Sequence, residues 1–366
     1  MGKLPRLFFV LGVTALGAGA LGFGFGACAP AGFDSSTKIE SVRVLATRAD
    51  GDKSYARPGD TVTLETLVVD GRTNPTTPAT LYWIPYLCQN PIDDVYAACF
   101  VPPSGTDAGA VGGDAGAGLA GILQTGVDLT PYLPTGPYTF TVPSDIIAKH
   151  PPVQGASEPY GLVIVFNIAC AGHVRWAGID PNAGPQQIPL LCTDDSGTAL
   201  SPNDYVIGFT RVYVYDDRIN ANPEIDGIIV NGNEIRTNVT GSATPDPLAL
   251  SLPANNSCDG GCDASTIDMD VPQSSWAGTG PCDSADAGDP STSCHKEIWV
   301  DYYAQGGGID SEARLLYDVN QGKVTPTGPA VKYYPPDDPG PGTLWAVVHD
   351  NRGGVTWLTV NVTATK

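Results

Sequence analysis

Nine cysteines, clustered aspartates and four histidines are the side chains here that could do chemistry. Cys28 stands apart near the N-terminus. The others form an even set: Cys88, Cys99, Cys170, Cys192, Cys258, Cys262, Cys282 and Cys294. An even set of this kind fits disulfides in an oxidising compartment. Proximity along the chain suggests Cys88 with Cys99 and Cys170 with Cys192, each closing one loop. The last four pair as Cys258–Cys262 and Cys282–Cys294, or nest. A zinc reading needs C-x3-C followed by C-x11-C, which is neither finger nor ribbon spacing. The densest carboxylates are Asp259, Asp263, Asp268 and Asp270, with Asp283, Asp286 and Asp289 following. Calcium is held by carboxylate and carbonyl oxygens, so the first four are candidate ligands. They lack EF-hand spacing, because D-x-D occurs only at Asp268–Asp270 and no matching Glu follows. The competing reading is a solvated acidic loop. The histidines, His150, His173, His295 and His349, have no ligand partner at short spacing. No G-x-S-x-G, H-E-x-x-H or G-x-x-x-x-G-K-[ST] occurs. The expectation is therefore a protein that is not an enzyme, with no resident cofactor and calcium as the one metal retained.

The elements that would position these groups read as strands. With 44 glycines and 33 prolines, helices are interrupted often and turns are favoured. In RPGDTVTLETLVVDG, residues 62, 64, 66 and 68 alternate with 63, 65, 67 and 69 between two turn signals, the pattern of a half-buried strand. TLYWIPYLC, YTFTVP, YGLVIVFNIAC and DYVIGFTRVYVYDD follow. Later come PLALSLP, KEIWVDYYA and ARLLYDV, then TLWAVVHDNRGGVTWLTVNVTA as two strands around a turn. Trp299 is expected to sit much as Trp83 does. Tyr302, Tyr303, Tyr333, Tyr334 and Trp276 could form a sugar-stacking platform. Adjacent strand residues face opposite ways, so one tyrosine of each pair belongs to the core. Residues 104–121 are a Gly/Ala/Asp low-complexity insert and 253–294 a polar, cysteine-bearing loop. The length of 366 residues suggests two domains.

The net charge is −20. Nucleic-acid binding needs a basic face, so no nucleic-acid partner is expected. The first residues carry Lys3 and Arg6, then an uncharged apolar run to Ala27, with Gly26 and Ala27 directly before Cys28. That layout is a secretory signal. An uncleaved membrane anchor is the alternative, disfavoured by the glycines recurring from Gly12 to Gly26.

Small residues followed by Cys28 resemble the lipobox of bacterial lipoproteins, with Phe25 where that family usually carries an aliphatic residue. The resemblance implies cleavage before Cys28, lipid on its sulfur and amine, and a membrane partner through that anchor. Ala29, in place of the retention Asp, implies the outer membrane. The closing D-N-x-G-G hairpin and the N-x-N-P-x-I segment from Asn220 to Ile225 resemble bacterial immunoglobulin-like, PKD-like or cadherin-like modules. RPGDTVTL and the later Trp83 resemble the early strands of an immunoglobulin-like module. Cadherin-like modules hold calcium at domain junctions, which would involve Asp216, Asp217, Asp226 and Asp350.

The expected architecture is all-β, two tandem antiparallel immunoglobulin-like sandwiches after a signal peptide. Residues 1–27 are the signal, 28–38 a lipidated flexible spacer, 39–217 the first sandwich and 218–366 the second. The expected function is a non-catalytic lipoprotein of the cell envelope, structural or adhesive, with a protein or glycan as partner. The alternatives are a carbohydrate- or polymer-binding lipoprotein that uses calcium, and an enzyme of unrecognised type.

Overall fold

The computed structural model describes residues 36–100, 125–152, 158–178, 188–238, 243–257, 263–277, 295–319, 322–323 and 330–366. Cys28, Asp259 and the four cysteines from Cys258 to Cys294 lie outside them, as does the insert 104–121. Residues 35–366 make one compact unit. Among the described residues no helix is long and apolar enough to cross a membrane.

Nine strands build the first sandwich. They are β1 (Val42–Ala49), β2 (Tyr55–Ala56), β3 (Thr61–Asp70), β4 (Thr80–Gln89), β5 (Tyr138–Thr141), β6 (Gly161–Cys170), β7 (His173–Trp176), β8 (Leu190–Thr193) and β9 (Tyr205–Val214). One sheet has the order β1-β3-β5 and the other β2-β9-β6-β4, with β7-β8 as a separate hairpin. This places the first, second and fifth immunoglobulin strands in one layer and the third, sixth and seventh in the other. Val62, Leu64, Trp83, Phe140, Val163, Val165, Val212 and Val214 fill the space between the layers. Trp83 is fully buried, and its indole N–H donates to Gly136 O at 2.7 Å.

The outer face of β6 is buried as well. Leu162, Ile164, Phe166 and Ile168 are fully buried beneath a cap that includes Cys99, Leu129, Leu133, Trp176 and Leu190. Two disulfides bind that cap to the sheet. Cys88 of β4 joins Cys99, and Cys170 of β6 joins Cys192 of β8. Burial on both faces explains why β6 reads as a continuous apolar run rather than an alternation.

The second sandwich uses β10 (Gly227–Val230), β11 (Asn233–Arg236), β12 (Leu248–Pro253), β13 (Ser265–Asp270), β14 (Ile298–Gln305), β15 (Gly308–Ile309), β16 (Ala313–Asp318), β17 (Gly322–Lys323), β18 (Val331–Tyr334), β19 (Gly340–Asp350) and β20 (Val355–Thr365). The sheets run β11-β10-β13-β18-β15 and β12-β20-β19-β14-β16-β17. Ile228, Ile267, Tyr302, Tyr333, Val348, Leu358 and Val360 pack between them. The chain is all-β and immunoglobulin-like in both halves. One refinement applies to each: β2 runs parallel to β9, and β12 parallel to β20. The stretch 253–294 also departs from a plain loop, since β13 lies inside it and buries Ile267 and Met269. Two apolar residues among polar ones hide that strand from a reading of composition.

The two sandwiches share a seam. Trp345, Val347, Val355, Trp357 and Tyr303, on the outer face of the six-stranded sheet, meet Ile39, Leu45, Ala46, Leu67 and Val69. The register of β1 against β3 shifts at Leu45. Such a bulge re-aims side chains, and Leu45 and Ala46 both reach the seam. Arg48 lies 5.1 Å over the Trp357 ring while its guanidinium pairs with Glu65 at 2.7 Å. Ahead of β1, Ala304 N–H donates to Thr37 O and Ile39 N–H to Ala304 O. The described end of the expected flexible spacer is thus held against β14.

Candidate functional site

Two places collect functional side chains: a polar junction between the sandwiches and an aromatic groove on the first. The junction grows from the two motifs that carried the resemblance. The chain turns from β19 into β20 through Asp350-Asn351-Arg352-Gly353-Gly354. Gly353 takes φ +80°, and a side chain on Gly354 would lie 2.5 Å from the Asp350 carboxylate, so both positions need glycine. The turn thereby wraps its own carboxylate: Asp350 Oδ1 accepts from Arg352 N (2.9 Å) and Gly354 N (2.6 Å).

The linker and Lys296, ahead of β14, supply the rest. Asn220 Nδ2 donates to both Asp350 oxygens, at 3.1 and 3.0 Å, and to Arg352 O. Lys296 Nζ donates to Asp350 Oδ2 at 2.9 Å and to Ala221 O at 2.8 Å. Two residues on, Asn222 ties both sandwiches together. Its Nδ2 donates to Ala49 O, and its Oδ1 accepts from Ser54 Oγ and Val355 N. Asn220, Asn222, Lys296 and Asp350 are all buried. Burying such groups is tolerated because they are paired. Nearby, burial pushes the Tyr55 hydroxyl up to about 12.

Of the junction carboxylates considered for calcium, Asp350 already holds an ammonium. Asp216 and Asp217 are exposed and Asp226 is half-buried. In the acidic stretch, Asp268 and Asp270 share the outer side of β13, and Asp263 precedes it. Among the described residues no three His, Cys, Asp or Glu side chains gather as a metal would need.

The histidines each meet a carboxylate or a ring. His150 Nε2 lies 2.9 Å from Asp94, which also accepts from the Tyr160 hydroxyl. His173 sits between Asp128 (2.9 Å) and Asp195 (3.0 Å). His349 lies 3.1 Å from Asp301 and stacks on Trp299 with ring centroids 5.1 Å apart. His295 stands edge-on to Tyr317. Trp299 therefore faces outward, unlike Trp83. The sugar platform does not assemble: Tyr302 and Tyr333 are core, Tyr303 is in the seam and Trp276 stacks on Tyr317. Only Tyr334 of that set is exposed, at 41 %.

The groove was not visible in the sequence. It holds about 600 Å3 and lies between β9 and the β7-β8 hairpin. Tyr205, Ile207 and Phe209 line it from alternate positions of β9, opposite Ile188, Leu190 and Leu191, with Tyr96 at one end. Tyr96 stacks on Phe209 at 4.4 Å, and the Arg211 guanidinium lies 5.0 Å over the other partner of that stack, Phe209. The signal that could have found it is the run of apolar and aromatic residues on both faces of β9, more than one core needs.

No protein-family model matches this sequence, and no curated protein matches it. Solved structures similar to the chain include the D0-D1 domain of intimin, at 12 % identity over 88 % of this chain and 99 % of that one, with a TM-score of 0.20. Dimeric latent PorU from Porphyromonas gingivalis aligns at 12 % identity over 90 % of this chain and 24 % of that one, TM-score 0.20. The native conformation of E. coli alpha-2-macroglobulin aligns at 11 % identity, over 90 % and 17 %, TM-score 0.19. Superpositions this loose carry no argument about the fold, which rests on the strand order itself.

Proposed function

We propose that this chain is a non-catalytic, lipid-anchored module of the cell envelope that binds a protein or glycan partner through the groove beside β9. The groove is the observation that carries the reading. Apolar and aromatic clefts edged by a few polar groups are the usual form of a binding site, whereas the junction groups are spent on one another. The two disulfides place the chain in an oxidising, non-cytoplasmic setting, which supports export. Gly26 and Ala27 ahead of Cys28 support the lipid anchor and, with Ala29, the outer membrane.

The test uses protein extracted from membranes. It is applied to glycan arrays and to envelope-protein fractions, with and without a chelator. Phe209→Ala and Ile207→Ser are expected to weaken capture at least about tenfold, the scale of losing one anchoring contact. Unchanged capture by both variants would remove the groove from the reading. Capture that disappears with the chelator would bring the acidic stretch, with Asp268 and Asp270, back as a calcium site. Mass mapping of the same sample is expected to give an acylated peptide beginning at Cys28.

A further inference from the structure

We propose that Lys296 and Asn220 condense into an isopeptide bond, with Asp350 carrying the protons. The geometry begins with one oxygen. Asp350 Oδ2 lies 2.9 Å from Lys296 Nζ and 3.0 Å from Asn220 Nδ2, so a single acceptor touches both the nucleophile and the leaving group. Lys296 Nζ also rests on Ala221 O, the carbonyl of the residue after Asn220. All three side chains are withdrawn from water: residue exposures are 9 % for Lys296, 1 % for Asn220 and 2 % for Asp350. Both groups are held against the same carboxylate oxygen, and a reaction between groups positioned in advance has lost much of its entropic barrier.

A second observation points the same way. Asn220 Oδ1 is buried and accepts no hydrogen bond. Buried oxygens are nearly always satisfied, so an exception asks for a role.

The step balances without any further reactant. Asp350 takes a proton from the Lys296 ammonium. The freed amine attacks Cγ of Asn220, forming the Cγ–Nζ bond, and Oδ1 takes the carbonyl electron pair. A second Nζ proton passes by way of the carboxyl to Nδ2. The Cγ–Nδ2 bond breaks as the carbonyl reforms, and ammonia leaves. It collects the proton held by Asp350, so the products are a Lys–Asn amide, ammonium and the original carboxylate. The bond would weld the segment leading into β10 to the second residue ahead of β14.

The experiment is tryptic mass mapping of the full, reduced protein. The expected result is no cleavage after Lys296 and a joined product holding Asn220 and Lys296, lighter than its parts by one ammonia. Lys296→Arg keeps the charge, removes the nucleophile and is expected to restore the full mass. Asp350→Asn is expected to slow linkage by about a hundredfold or more, the usual worth of a placed general acid–base. Cleavage after Lys296 beside an unmodified Asn220 peptide would overturn the proposal, and this reading of the wild-type protein needs no variant to fold. Loss of one water in place of ammonia would overturn it too, by putting the link on Asp350.

Discussion

Asp350 shows what one residue can hold together. Its carboxylate takes donors from its own turn, from the linker and from the residue ahead of β14, and its side chain is fully buried. In a chain not linked at Lys296, Asp350→Ala would leave the ammonium buried without a counter-charge, a change costing roughly 3–5 kcal/mol. Chemical denaturation of the variant is expected to show a loss of that size, and a loss under about 1 kcal/mol would mean the pair behaves like a surface contact. Asp70 makes a second residue-scale prediction. Arg72 bonds it at 2.7 and 2.8 Å and reaches on to Asp204 at 2.9 Å. The guanidinium hydrogen bond outweighs burial and holds the Asp70 carboxyl below its ordinary value. A depressed carboxyl contributes stability above its unfolded pKa and loses it as pH falls through the folded value. Stability is therefore expected to drop below about pH 4, near the free carboxylate value, and Arg72→Ala is expected to flatten that part of the profile.

At the scale of elements, the cap over β6 depends on its two disulfides, which close segments separated by 11 and 22 residues. Bridges of this kind are worth roughly 2–4 kcal/mol each. Hydrogen exchange under mild reduction is expected to quicken first in β7 and β8, while β3 and β5 keep their protection. Uniform quickening would show that cap and sandwich open together. The strands themselves were largely legible, because alternation at Val62 and Leu64 and the double-sided run of β6 are local patterns. So were the two cysteine pairs, each close in sequence. The alternation rule also put one tyrosine of each adjacent pair in the core, and the packing makes these Tyr302 and Tyr333. What was not legible depends on distant neighbours. Trp83 and Trp299 sit in similar strand contexts, yet one faces the core and the other His349, and only the sheet above them decides which. The N-x-N-P-x-I and D-N-x-G-G motifs were both visible, but Asn220 and Asp350 are 130 residues apart, beyond the reach of any periodicity. Lys296 carried no signal at all. The groove needed three separate segments to meet.

For the whole molecule, the seam sets how the two sandwiches behave. Each large apolar side chain fully removed from water contributes roughly 1.5–3 kcal/mol; Trp345, Trp357 and Val69 are buried there, with Leu67 packed against them. Asn222 adds polar bonds that neither sandwich could make alone. Calorimetry of the intact protein is expected to show one cooperative transition. Trp357→Asp, which places a charge in the seam, is expected to split it into two. Two transitions in the unaltered protein would show that the sandwiches unfold independently and that the seam is adhesive only in the folded chain.

The pairing of Thr37 and Ile39 with Ala304 has a mechanical meaning. Chain leaving Ser36 toward any point of attachment departs from beside the second sandwich, although it belongs in sequence to the first. A pull on that end would be felt at once by β1 and β14. It would work in shear along the seam, where many contacts resist together. It would not peel one sandwich open strand by strand. Two sandwiches joined in this way would act under such a pull as a single stiff block, not as two beads that add reach when stretched.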